Sequence, residues 1–271
     1  RLARAVSRLG QLGVVSGTAL DGVIARRLQL GDPDGSIRRA LSHFPWPDMA
    51  QRVLDKYFIP GGKPDKKPFA AVAKHTLKLK RESVELLIVS NFVEVFLARS
   101  GHDGPVGINY LEKIQLPTLP SLMGAMLAGV AFVIMGGGIP LTIPGIMSRL
   151  ANFEPVELKM DVEGNSQKQA YVQQFSPRDY LTGAPDKIPR PHFLAIVSSD
   201  ILAKTFTRRA TGSVDGFIIE NHTAGGHNAP PRRADYPAGQ TGPQFGPRDI
   251  PDVEKIRQLG VPFWLAGGFG S

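Results

Sequence analysis

Short apolar runs alternate along the chain with longer segments whose apolar positions recur at helical spacing, and a glycine or polar loop separates each from the next. Six such runs stand out: Leu12 to Val15, Val106 to Asn109, Phe132 to Met135, Phe193 to Val197, Gly216 to Ile219 and Phe263 to Ala266. A buried strand, a loop and then a helix, repeated in this way, is the pattern of parallel strands joined by helical crossovers. The pattern therefore predicts an α/β fold.

The helical segments carry their own punctuation. Arg1 to Leu9 reads as a helix stopped at Gly10, and residues 21–58 read as mainly helical with breaks near Gly31 to Gly35 and Pro45 to Pro47. Arg81 to Arg99 is apolar nearly all round, which predicts a buried crossover helix ended by Ser100-Gly101. Further helices are expected over Pro120 to Leu127, Pro144 to Leu150, Asp200 to Arg209 with Ser199 or Asp200 as N-cap, and Pro251 to Leu259 with Asp249 as cap. Alternation in Val156 to Val162, inside an otherwise irregular stretch, predicts an inserted hairpin or excursion. The organisation expected is one domain over residues 1–271, with insertions at about 21–80 and 151–190.

A chain of 271 residues suits one large domain, and a β/α barrel needs about 250. The absence of cysteine removes disulfide frameworks, thiolate metal sites and cysteine nucleophiles, and fits a cytoplasmic location. A net charge of +8 admits nucleic acid or phosphorylated ligands, but Lys and Arg are scattered, and the densest run, Lys63 to Arg81, lacks the aromatics of a single-strand binder. It reads as a solvated loop entering a helix. The uncharged stretch between Lys113 and Arg149 is broken by Pro117, Pro120, Pro140 and Pro144, which argues against a membrane span. No secretory signal is visible, and a chain that opens with Arg1 inside a helical pattern reads as a piece of something longer.

Candidate chemistry gathers where strands end, which is where the reactive rim of an α/β sheet or barrel lies. Ala224-Gly225-Gly226-His227 places two residues without side chains beside an imidazole, so a flat ligand could approach the backbone while the ring reaches its edge. As an isolated tetrapeptide it reads equally well as a turn with an incidental histidine. Gly267-Gly268 follows the last apolar strand and offers backbone N–H groups to a phosphate, as any tight turn also could. Together they place two neighbouring glycine turns on one rim.

The segments "DGFIIENHTAGGHNAP" and "PFWLAGGFGS", with "VGINYLEK" and "GGGIP" before them, resemble in order the signatures of the nitronate monooxygenase family, which also includes a flavin-dependent enoyl-acyl carrier protein reductase. The resemblance implies a TIM-type (β/α)8 barrel, incomplete in this chain, with the first and last strands missing and a helical insertion. It also implies FMN as cofactor. Asn109 would hydrogen-bond the flavin, Glu220 would lie in the cofactor site, Gly225 and Gly226 would contact FMN, and Gly267 and Gly268 would lie near its phosphate. His227 would sit beside the isoalloxazine and bind substrate or handle a proton. Thr223 stands where the family usually has Glu, which removes a carboxylate.

The activity implied is oxidation of alkyl nitronates by oxygen to a carbonyl compound and nitrite. The partners would be a small-molecule substrate with oxygen or NAD(P)H, and neither nucleic acid nor membrane. Alternatives are an NAD(P)H-dependent flavin reductase acting on enoyl thioesters or quinones, a non-enzymatic phosphate- or nucleic-acid-binding module, and an inactive fragment. No metal site is expected: Asp161 and Glu163 have no histidine at ligand spacing and read as solvated. Ser16 and Ser198 lack a paired base. His75, His102, His192 and His222 are isolated and are assigned surface or loop roles, with His222 set apart by its closeness to the candidate flavin loop.

Overall fold

The computed structural model of the protein describes all residues except 163, 165–168, 226–228, 232–243 and 269–271. Its elements run α1 (Leu2–Arg8), β1 (Gly13–Ser16), α2 (Leu20–Gln29), α3 (Ser36–Leu41), α4 (Pro47–Tyr57), α5 (Arg81–Arg99), β2 (Val106–Leu111), α6 (Thr118–Leu127) and β3 (Phe132–Gly136). They continue with α7 (Ile143–Ala151), β4 (Val156–Met160), β5 (Tyr171–Phe175), β6 (His192–Val197), α8 (Asp200–Arg209), β7 (Gly216–Glu220), α9 (Val253–Arg257) and β8 (Phe263–Ala266). Six strands form one parallel sheet in the order β1-β2-β3-β6-β7-β8, and β4 and β5 pair as an antiparallel hairpin. The α/β class and the six expected strands are thus present. No helix among the described residues is long and apolar enough to cross a membrane.

The chain divides into two compact units. The first comprises residues 1–110, 114–133 and 146–191. Its centre is α5, buried along most of its length at Val84, Leu87, Ile88, Val89, Phe92 and Val95. Phe92 meets Phe44 edge-on at 4.9 Å and stacks on Phe96 at 5.7 Å, which ties the helical excursion after β1 to this helix. Two polar groups inside the core are satisfied locally. Glu85 accepts two bonds from the Arg52 guanidinium, at 2.9 and 2.7 Å, and a third from Arg81. Tyr110 Oη lies 2.8 Å from Asn91 Oδ1 and 3.1 Å from the Ser121 carbonyl, and Asn91 Nδ2 donates to Leu87 O. Burial pushes the Tyr110 phenol well above its ordinary pKa of 10.0, so it stays a donor.

Residues 59–80 contain no regular element, as expected of a solvated loop, yet they are strapped along α2. Gln29, buried at the end of that helix, receives the Ala70 N–H at 2.6 Å on Oε1, and its Nε2 donates to Ala25 O and Ala70 O. The Gln29 carbonyl receives the Lys63 N–H, and Phe69 lies under the cations of Lys63 and Arg26. At the other end His75 Nε2 sits 3.1 Å from the Asp21 carboxylate. His75 lies in a loop, one of its expected roles, but it is not isolated: three-quarters of the ring is covered, and its partner lies far away in sequence. Burial raises the Asp21 pKa, but the His75 hydrogen bond, the Gly22 N–H and the His75 charge together outweigh it and leave the carboxyl below its ordinary 3.8.

The second unit comprises residues 111–113, 134–145 and 192–271. Strands β6 and β7 pair from Leu194↔Gly216 to Val197↔Ile219, and β7 and β8 from Phe217↔Phe263 to Glu220↔Ala266. Phe193, Leu194, Ala195 and Phe217 are fully buried, which explains their uninterrupted apolar sequence. Helix α8 is capped as expected, Ser199 accepting from the Leu202 N–H at 3.2 Å. Helix α9 is not. Its N-cap is Asp252, which accepts from Lys255 N, because the Asp249 carboxylate is turned back onto the Gly246 N–H. On β8, Trp264 and Leu265 are exposed.

Two outcomes follow for the first unit. Tyr110→Phe leaves Asn91 Oδ1 without its donor and should lower unfolding free energy by about 1–2 kcal/mol, read by urea titration. Gln29→Ala should accelerate tryptic cleavage at Lys66 and Lys74 several-fold with helix content unchanged. Because the native Asp21 pKa is depressed, its contribution to holding the strap is complete above the ordinary carboxylate value and is lost as pH falls through the lower native one. Wild-type cleavage, followed with an acid-active protease, should rise over that window and be flat in Asp21→Asn.

Candidate functional site

The site is built from the carboxyl ends of β6, β7 and β8. In-register pairing brings Glu220 opposite Ala266, and the chain continues the ladder one step further, the Asn221 N–H bonding to Ala266 O at 2.9 Å. Both strands then turn. Asn221 closes its turn on itself, its carbonyl taking the Ala224 N–H and its side chain taking the His222 N–H at 2.7 Å.

Gly267 meets this turn directly. A Cβ built on it would lie 2.4 Å from Ala224 N, inside any real contact distance, and its φ is +93°. Gly268 follows at φ +67°, with Thr223 Oγ1 2.9 Å from a Cβ placed there. Glycine is required at 267 by close approach and by conformation together. Among the described residues the N–H groups of Gly267 and Gly268 donate to no acceptor. Two consecutive N–H groups at left-handed glycines suit an anion such as phosphate. Gly225 differs, since a Cβ on it would meet nothing within 4 Å. Gly226 and His227 lie outside the described residues.

Beside these turns lie two adjoining cavities. The larger, of about 250 Å³, is lined among the described residues by Gly137, Gly138, Ile196, Ser198, Leu202, Glu220, Ala229 and Pro230. The smaller, about 30 Å³, shares Ser198, Glu220, Ala229 and Pro230 and adds Asn221, His222, Phe245 and Asp249. Glu220 belongs to both. Its carboxyl is partly buried and has no hydrogen-bond or ion-pair partner among the described residues, and burial raises its pKa above the ordinary 4.5. His222 stacks on Phe245 at 5.0 Å.

Asn109 belongs to the first unit and lies within β2, opposite Ser16 at the end of β1. Its carbonyl takes the Gly17 N–H at 2.8 Å, while its side-chain Oδ1 is buried with no hydrogen-bond partner. An open buried acceptor is costly unless a ligand donates to it. No group of three or more metal-ligating side chains occurs among the described residues, and Glu163 lies outside them.

The structure thus brings Glu220, Gly225, Gly267 and Gly268 into one region of the second unit. Sequence reading missed Ser198, Phe245 and Asp249 as cavity residues. Ser198 carries a usable signal in its position directly after β6, which a search for nucleophiles alone passes over. Phe245 carried none, because it sits in a long Pro/Gly-rich loop. No family model matches the chain, and no curated protein matches it.

Two substitutions separate the roles of the glycines. Gly267→Ala should cost about 1–3 kcal/mol of stability through strain and clash, whereas Gly225→Ala should stay within about 0.5 kcal/mol. Urea titration of both variants checks the contrast.

Proposed function

We propose that the protein is an FMN-dependent oxidoreductase of the nitronate monooxygenase type, built on an incomplete (β/α)8 barrel. The observation that carries this reading is the seating of the Gly267-Gly268 turn on the Thr223-Ala224 turn beside the Glu220 cavity, two glycine-bearing turns at adjacent strand ends. The fit to the cofactor is supported within the second unit by the N–H pair at Gly267 and Gly268, which has no acceptor among the described residues and suits a phosphate. Bound FMN would supply the electron-accepting chemistry. Within the second unit the protein would contact it through Glu220, Gly225 and Gly226, hold its phosphate at Gly267 and Gly268, and place His227 to stabilise an anionic substrate or take its proton. The overall change is alkyl nitronate and oxygen to carbonyl compound and nitrite. A cytoplasmic location goes with this reading on the cysteine-free composition alone.

A second reading, an NAD(P)H-dependent flavin reductase of enoyl thioesters or quinones, is favoured by one observation. The described cavity walls contain no lysine or arginine and do contain the carboxyl of Glu220, which suits a neutral carbonyl substrate.

The purified protein should be yellow, and the pigment released on denaturation should be FMN; a colourless protein that binds no added FMN overturns both readings. His227→Ala should retain FMN and lose about 100-fold or more in nitronate turnover, so unchanged turnover would remove His227 from its role. Anaerobic bleaching by NAD(P)H without nitronate would select the reductase.

A further inference from the structure

The cavity at the carboxyl ends of β6 and β7 is chemically lopsided. Ile196, Leu202, Ala229 and Pro230 give it an aliphatic wall, and Glu220 lines both of its lobes. No described residue donates a hydrogen bond to that carboxyl and none pairs with it as a cation. The ionisable groups around it can be named element by element. The turn after β7 brings His222, and the segment before α9 brings Asp249, which is occupied by the Gly246 N–H. The segment after β2 brings Glu112 against Gly138 and Lys113 near Gly137. Helix α8 contributes Leu202 to the wall and carries Asp200 at its start, and β8 contributes Ala266 opposite Glu220.

We infer that Glu220 is the head-group contact for a small aliphatic ligand bearing one hydrogen-bond acceptor, and that an anionic ligand binds only together with a proton taken up by Glu220. The inference rests on the proposed oxidoreductase reading and takes this cavity as the place where its substrate lies beside the cofactor. Its physical basis is short. An alkyl chain fits the apolar wall, which turns its polar end toward the carboxyl. A carboxylate facing a nitronate or carboxylate oxygen is repulsive in a partly desolvated cavity, whereas a carboxylic acid facing the same oxygen donates a hydrogen bond. The proton comes from solvent and converts the Glu220 carboxylate to the acid; nothing else is transferred. Burial already favours that form. A neutral acceptor of the same shape needs no such charge cancellation and binds at every pH at which the fold is intact.

Butyrate and butyramide are unreactive probes that differ in this charge and share the alkyl chain. Calorimetry of the whole protein at pH 7, in two buffers of different ionisation enthalpy, should show close to one proton taken up per butyrate and none per butyramide. Above the Glu220 titration the butyrate Kd should weaken about tenfold per pH unit, the slope of one linked proton, while the butyramide Kd stays flat. Glu220→Gln should abolish butyrate proton uptake and keep butyramide binding, which also reports an intact cavity. His222→Gln and Asp249→Asn should leave uptake in place. Butyrate binding without uptake in the wild type, or uptake that survives Glu220→Gln, overturns the assignment. The two readings fail separately: a protein without FMN that still takes up the proton sinks the flavin proposal alone, and a flavin-loaded protein without uptake sinks this one alone.

Discussion

Backbone approach at the carboxyl ends of the parallel strands is the constraint on which the rest depends. At these ends one strand, or the turn after it, lies so near its neighbour that no side chain can stand between them. A Cβ on Gly17, after β1, would lie 2.4 Å from the ring of Tyr110 on β2. One on Gly136, closing β3, would lie 2.8 Å from the Cβ of Ile196 on β6, and one on Gly267 would enter the backbone of Ala224. Side chains would push these ends apart, and the ladders that continue past them, such as Asn221 to Ala266, would lose their last bonds. What remains at each of these ends is a short rim made largely of main chain.

That rim was legible where periodicity reported it directly. Phe263–Ala266 and Arg81–Arg99 stand as the apolar runs outline them, the helix buried along most of its length and the strand with Trp264 and Leu265 exposed, because loop residues bound each run. Glu220 and Gly267 were legible as strand-end residues for the same reason. The second strand of the hairpin was not, since Gln173 and Gln174 disguise its alternation. Gln173 is nevertheless buried, its amide donating to Leu116 O across a long sequence separation, and Gln174 bonds to Glu157 on the paired strand. Asp21 with His75 was hidden in the same way. Local sequence shows a polar residue as solvated until the fold supplies its partner.

The placement of polar groups also separates structure from chemistry. In the first unit Glu85 is buried yet held by two guanidinium groups, and Asn91 is held by Tyr110, so both side chains are spoken for. Glu220 and the Oδ1 of Asn109 have no such partners among the described residues. A fold that satisfies its interior carboxylate with paired arginines and leaves a strand-end carboxyl open carries a local cost at that strand end. Such costs concentrate where ligands bind.

The two tryptophans of the chain are divided between the two compact units. Trp46, beside Phe44, donates its indole N–H to Thr182 O, whereas Trp264 is half exposed on β8. Each unit therefore contains a single tryptophan in its own surroundings. The emission of the chain is a two-channel signal in which loss of order in one unit can be told from loss of order in the other without any attached dye.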